Sequence, residues 1–121
     1  MNGWIGVDLD GTLAEYTEWK GPEHIGEPIE PMVKRVKQWL EEGYTVKIFT
    51  ARIYWPDGDE QRFKEAEAAV HAIKKWALKH IGQELEVTNT KDFGMIELWD
   101  DRAVQVIANT GEPVGFSTRG L

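Results

Sequence analysis

The chain has 121 residues, of which 41% are hydrophobic and 11% aromatic, a composition typical of one folded globular domain rather than a disordered chain. The absence of cysteine excludes a disulfide framework and a thiolate zinc site, so we expect a cytoplasmic protein. The formal net charge of -7 opposes general binding to duplex DNA, and no apolar run is long enough to predict a membrane span.

Strand-like and helix-like segments alternate along the chain, which is the pattern of βαβ units and a parallel sheet. The predicted strands are residues 4–7, 44–49, 85–87, 95–99 and 104–108, the last being a strand or a short helix. The predicted helices are residues 31–42 and the stretch that begins at a cap on Asp57 or Asp59 and ends at Gly82. This order predicts an α/β fold.

Two acids one residue apart, Asp8 and Asp10, follow the first predicted strand. Gly11 would break that strand and direct both carboxylates out of its carboxyl end, which is where open parallel sheets bind ligands. A solvated turn is the alternative, because Asp and Gly are both common turn residues.

Polar residues also follow the later predicted strands: Thr50 the second, Lys91 the third, and Asp100 with Asp101 the fourth. Carboxylates that converge at one sheet edge repel one another unless a cation lies among them, and oxygen ligands without Cys or His favour Mg²⁺. A hydroxyl and an ammonium beside them suit a phosphate. Each residue also has a purely structural interpretation, as a strand end, a surface lysine or a helix cap.

With these motifs in this order, the sequence resembles the haloacid dehalogenase superfamily of aspartate-nucleophile phosphohydrolases over most of its length. The motifs are Asp8-Leu9-Asp10-Gly11-Thr12, then Thr50, Lys91 and Asp100-Asp101. The resemblance implies a single three-layer Rossmann-like domain over residues 1–121, with a central, mainly parallel sheet. It also implies a short flap after the first strand, over residues 13–30, and dependence on Mg²⁺.

The resemblance further implies an Mg²⁺-dependent phosphatase that hydrolyses a phosphomonoester through an aspartyl-phosphate. Asp8 would be the nucleophile, and Asp10 the acid toward the leaving group and then the base toward water. Thr50 and Lys91 would bind the phosphoryl oxygens.

The implied metal ligands are the Asp8 side chain, the Asp10 backbone carbonyl and the Asp101 side chain. Asp100 would be a partner of Lys91 or an alternative ligand. The Mg²⁺ site would thus combine residues of the first and the last motif.

Only short segments separate the motifs, so we expect no cap domain and an open site. An open site suits a phosphate on a large molecule, such as a nucleic-acid end or a phosphoprotein, unless oligomerisation covers it. The expected partner is a phosphorylated substrate, either a small molecule or a nucleotide or nucleic-acid end. The flap residues Tyr16, Trp19 and His24 would contact the leaving group, or simply pack or lie exposed. Arg52 would reach a second phosphate or a sugar, or form a surface salt bridge.

Two alternatives use the same residue types without turnover. A receiver-like domain accepts a phosphoryl group with carboxylates, Mg²⁺, a threonine and a lysine, but its phosphorylated aspartate follows an earlier acidic pair, unlike Asp8 here. A non-catalytic domain would bind Mg²⁺ or phosphate on the same fold. The oligomeric state does not follow from the sequence.

Overall fold

The structure, a computed structural model, describes residues 3–116 and 119 and confirms an α/β fold built on a parallel sheet. Its elements are β1 (Trp4–Asp8), α1 (Glu30–Glu41), β2 (Thr45–Phe49), a 3₁₀ turn (Ala51–Ile53), α2 (Glu60–His80), β3 (Glu86–Thr88) and β4 (Met95–Trp99). The four strands and two helices lie within two residues of the predicted positions. Asp59, not Asp57, caps α2, accepting a hydrogen bond of 3.0 Å from the Arg62 backbone N–H.

The four strands are parallel and lie in the order β3-β2-β1-β4. In this register Asp8 lies beside Phe49 of β2, and Val7 lies beside Trp99 of β4. The carboxyl ends of β1, β2 and β4 therefore meet at one edge. The residues that follow these three strands carry the candidate site.

Both helices pack on one face of the sheet. The apolar residues of that face, Ile5 and Val7 of β1 with Val46 and Ile48 of β2, join side chains of both helices in one buried cluster. The helix residues in the cluster are Met32, Val33, Val36, Ala69, Ile73, Trp76 and Ala77. Right-handed βαβ connections that proceed in one direction along the sheet place their helices on the same side.

The opposite side, which we call the helix-free face, is formed by the alternate strand residues Gly6, Lys47, Phe49, Thr88 and Leu98. Only residues 89–94 connect β3 to β4, too few to form a packed helix on this face. The described residues therefore form two layers, and the third layer that the resemblance implies is not seen among them.

The segment after β4 differs from its prediction. Residues 104–108 form neither a sheet strand nor a helix; instead Val106 bridges Pro113 around a turn. Asn109 and Gly111 in that turn have φ angles of 65° and 77°. Every residue described from 101 to 116 is exposed, so no apolar burial stabilises a fifth element there.

Candidate active site

The flap begins directly after β1, and hydrogen bonds join its two ends. Leu13 and Ala14 are fully buried, and the Leu13 carbonyl accepts a hydrogen bond of 2.9 Å from the backbone of Ile29. The backbone N–H of Glu15 donates to the Glu27 carbonyl at 2.8 Å. The chain between these anchors, residues 15–28, is a loop over the edge of the sheet, and it lies within the predicted flap.

Three carboxylates converge where β1 and β4 end. Asp8, Asp100 and Asp101 each offer an oxygen within 4.8 Å of the others. The Thr12 hydroxyl lies 3.4 Å from an oxygen of Asp8 and 3.4 Å from one of Asp101, so it links the first acidic motif to the last. The structure thus brings together the side chains of Asp8 and Asp101, which are predicted to bind Mg²⁺, and that of Asp100, the alternative ligand.

Burial and crowding make this site unfavourable for negative charge. The pKa of Asp8 is raised from its ordinary 3.8 to about 7. The largest cause is burial, followed by the negative charge of Asp100, the hydrogen bond and charge of Asp101, and the charge of Asp10. Like charges held together in a partly buried site destabilise the ionised forms. A bound cation would reverse this effect.

Gly11 permits the close approach of Asp101. Its φ is +89°, and a Cβ on this residue would lie 2.5 Å from Asp101 Oδ2. Any other residue would meet both a strained backbone conformation and the carboxylate. The glycine in the first motif is therefore required for the packing of the acids as well as for the turn.

Asp10 lies apart from these three acids and is held by Arg52. The Arg52 guanidinium donates from Nε and Nη2 to the two Asp10 oxygens, both at 2.8 Å. Its Nη1 donates to the carbonyls of Pro22 at 3.3 Å and His24 at 2.7 Å, and the Trp19 ring lies 5.0 Å from its Cζ. The salt bridge predicted as one alternative for Arg52 is present, but it is buried, since only 5% of the side chain is exposed.

Thr50 follows β2 and is 2% exposed. Its hydroxyl oxygen accepts a hydrogen bond of 3.1 Å from the Arg52 backbone N–H, which begins the 3₁₀ turn. Within residues 3–116 no group accepts its hydroxyl proton, so that proton is available to a ligand. Thr50 lines the same cavity as Asp8, Asp100 and Asp101.

A cavity of about 490 Å³ opens over this edge of the sheet. Aromatic, acidic and basic side chains line it together. The lining residues are Asp8, Asp10, Tyr16, Trp19, Phe49, Thr50, Ala51, Arg52, Arg62, Asp100, Asp101 and Arg102. The structure therefore brings Tyr16 and Trp19 of the flap to the site, whereas His24 contributes its backbone carbonyl to Arg52.

Lys91 is not brought to this cavity. It is exposed, does not line the cavity, and makes none of the ion pairs found among the described residues. β3 lies two strands away from β1, roughly 10 Å at the usual strand spacing, and the 89–94 loop then leads back toward the start of β4. A residue after β3 can therefore leave the edge at which the acids meet.

No role at the site was predicted from the sequence for Thr12, Arg62 or Arg102. Thr12 lies inside the first acidic motif, two residues after Asp10, and this position could have predicted that its hydroxyl contacts the acids. Arg102 follows Asp101, and its backbone N–H donates to Asp100 at 2.8 Å. Arg62 reaches the cavity from the first turn of α2, which no local pattern indicates.

No model of a known protein family matches the sequence, and neither does any curated protein. A solved structure of a conserved protein from Bacteroides thetaiotaomicron is similar, with 22% identity and a TM-score of 0.54. The match covers 88% of this chain and 82% of that one. At this identity the similarity supports the fold alone. Among the described residues, no helix has the length and apolar character to cross a membrane.

Proposed function

We propose that the protein is an Mg²⁺-dependent phosphatase that hydrolyses a phosphomonoester through an aspartyl-phosphate on Asp8. The observation that carries this proposal is the cluster of Asp8, Asp100 and Asp101 oxygens within 4.8 Å, in the same cavity as the buried Thr50. Such a cluster of like charges is unfavourable by itself, and a bound cation would relieve the repulsion.

The donor set fits a hard divalent cation. It is made of carboxylate oxygens without His or Cys, and Gly11 leaves the space that Asp101 needs. The side chains of Asp8 and Asp101 with the Asp10 carbonyl would hold Mg²⁺, with Asp100 as an alternative ligand. The bound ion would neutralise part of the charge on the acids and on the phosphate.

The proposed reaction has two chemical steps, in which the two aspartates take the roles that the resemblance implies. An Asp8 oxygen attacks phosphorus and the bond to the leaving alcohol breaks, with Asp10 giving that alcohol a proton. Water then attacks the aspartyl-phosphate, Asp10 takes a water proton, and the Asp8 carboxylate leaves as phosphate forms. Thr50 donates a hydrogen bond to a phosphoryl oxygen. A role for Lys91 is still a prediction of the resemblance.

Turnover of an aryl phosphate is the direct test. We expect hydrolysis of p-nitrophenyl phosphate with Mg²⁺ and its loss in EDTA, restored by excess Mg²⁺. A stable phosphoenzyme without turnover would favour the receiver-like alternative instead. Absence of both turnover and phosphoenzyme, with Mg²⁺ still bound, would favour the non-catalytic domain.

The cavity supports a phosphate ester with an aromatic group, such as a nucleotide or a phosphorylated nucleic-acid end. Tyr16 and Trp19 present rings at its wall, 42% and 51% exposed, and Arg102 adds positive charge. Arg62 also lines the wall, where it is paired with Glu65 at 2.9 Å. Stacking on one ring is worth about 1–3 kcal/mol, which corresponds to roughly 5- to 150-fold in affinity.

We therefore expect kcat/KM for a nucleoside monophosphate or a phosphorylated oligonucleotide to exceed that for glucose 6-phosphate by about tenfold or more. The Trp19→Leu variant should narrow this ratio by raising KM for the aromatic substrate. Equal kcat/KM values for both substrate classes would contradict the proposal that the leaving group carries an aromatic ring.

A further inference from the structure

Arg52 joins two parts of the site that are far apart in sequence. It binds both oxygens of Asp10 through one edge of its guanidinium, and it binds the flap carbonyls of Pro22 and His24 through Nη1. The Trp19 ring stacks over the same group. Four hydrogen bonds and one ring contact thus leave little of this side chain for a ligand.

We propose that Arg52 is a positioning residue that fixes the Asp10 carboxylate and makes its orientation depend on the closed flap. This role rests on the proposed phosphatase function, and it replaces the contact with a second phosphate or a sugar that the sequence suggested. A planar guanidinium can make these contacts together because its donors have a rigid, forked arrangement.

The bidentate contact matters most in the second chemical step. Both Asp10 oxygens accept hydrogen bonds from Arg52, so the carboxylate is held with its remaining lone pairs in fixed directions. In that step water adds to phosphorus, its proton goes to Asp10, and the bond from phosphorus to the Asp8 oxygen breaks. A base that is out of position slows this step, because general-base catalysis requires hydrogen-bond reach to the attacking water.

The Arg52→Lys variant tests the proposal because it keeps the positive charge and loses the forked contact. We expect kcat with p-nitrophenyl phosphate to fall by about ten- to a hundredfold, less than the roughly 10²- to 10⁴-fold that general acid–base catalysis contributes, because the base is displaced and not removed. p-Nitrophenolate is a good leaving group that needs little help from an acid, so the first step should be affected less. A burst of about one p-nitrophenol per site should therefore precede the slow phase. The steady-state level of phosphoenzyme, measured after quenching in acid, should also rise.

The flap provides a second measurement that does not need activity. Lys20 is exposed within the flap, so trypsin cleavage between Lys20 and Gly21 reports how firmly the loop is held. We expect cleavage of Arg52→Lys to be several-fold faster than that of the wild type. Trp19→Leu changes a half-exposed residue that the fold should tolerate, and it should accelerate cleavage in the same direction.

Arg35→Lys is the matched control. Arg35 also lies over a tryptophan, with its Cζ 5.4 Å from the Trp99 ring, but it makes no hydrogen bond to Asp10 or to the flap among the described residues. It should show neither the burst nor faster cleavage.

Three results would overturn the proposal. A raised KM with unchanged kcat in Arg52→Lys would assign Arg52 to substrate binding. Unchanged kinetics without a burst would remove the link to Asp10, and unchanged cleavage would remove the link to the flap. If the wild type itself hydrolyses no phosphate ester, the proposed function fails, and the cleavage rates still decide the flap contact.

Discussion

Asp8→Asn is expected to abolish phosphatase turnover and, at the same time, to raise the melting temperature of the metal-free protein by several degrees. Loss of the nucleophile should cost roughly 10⁴-fold or more in kcat. The gain in stability arises because asparagine removes one of three carboxylates whose oxygens lie within 4.8 Å. With solvent screening, the gain in unfolding free energy should be on the order of 1 kcal/mol at pH 8.

The pH dependence of this difference has a fixed sign. The pKa of Asp8 is about 7 in the folded protein and near its ordinary 3.8 when unfolded, so the folded state binds more protons between these values. The wild type should therefore lose stability relative to Asp8→Asn as pH rises from about 4 to 7, with the full loss above 7. Thermal melts in EDTA across this range measure it.

Added Mg²⁺ should reverse the order of stability. The wild type gains binding free energy from the ion, whereas Asp8→Asn lacks a ligand and should gain little. Asp57→Asn, a change of the same kind on an exposed loop, should alter neither activity nor the response to Mg²⁺. An Asp8→Asn enzyme with wild-type kinetics would disprove the nucleophile assignment.

Gly11→Ala should weaken Mg²⁺ binding by about 10- to 100-fold, as a lost supporting contact typically does in metal sites. The new Cβ would lie 2.5 Å from Asp101 Oδ2, and the side chain of Asp101 would have to turn away from Asp8. Isothermal titration and the Mg²⁺ dependence of turnover measure the loss. We expect activity to recover partly at high Mg²⁺ concentration.

Gly43→Ala separates backbone strain from this local effect. Gly43 has a φ of +91° and no heavy atom within 4 Å of the added Cβ, so it shares the strain of Gly11 without the contact. Both variants should lose about 1 kcal/mol of unfolding free energy in EDTA. Only Gly11→Ala should lose the rise in melting temperature with Mg²⁺, and equal responses would contradict the role of the glycine.

The sequence was sufficient to predict the four strands and two helices that form, because each carries its own pattern of apolar residues, whereas the element predicted at residues 104–108 is absent. The predicted strand at residues 95–99 agrees with β4 (Met95–Trp99), and the acids after β1 and β4 meet because parallel strands end at one edge. Length also constrained the fold. Six residues between β3 and β4 are too few for a packed helix, which was visible in the sequence.

Strand order was not visible in the sequence, and Lys91 shows the consequence. A residue after a strand reaches the site only if that strand lies near β1, and β3 lies at the far edge. The contacts of Arg52 could not be predicted for a different reason. Its partners are backbone carbonyls of Pro22 and His24, whose positions depend on the closed flap rather than on residue type.

The exposed segment of residues 101–116 has a thermodynamic consequence for the whole molecule. The chain exposes 8263 Å², whereas a compact protein of this length typically exposes about 6,600 Å². Unfolding therefore uncovers less new surface than the length suggests, and both the denaturant m-value and the heat-capacity change scale with that surface. The denaturation curve should be shallow for a protein of 121 residues.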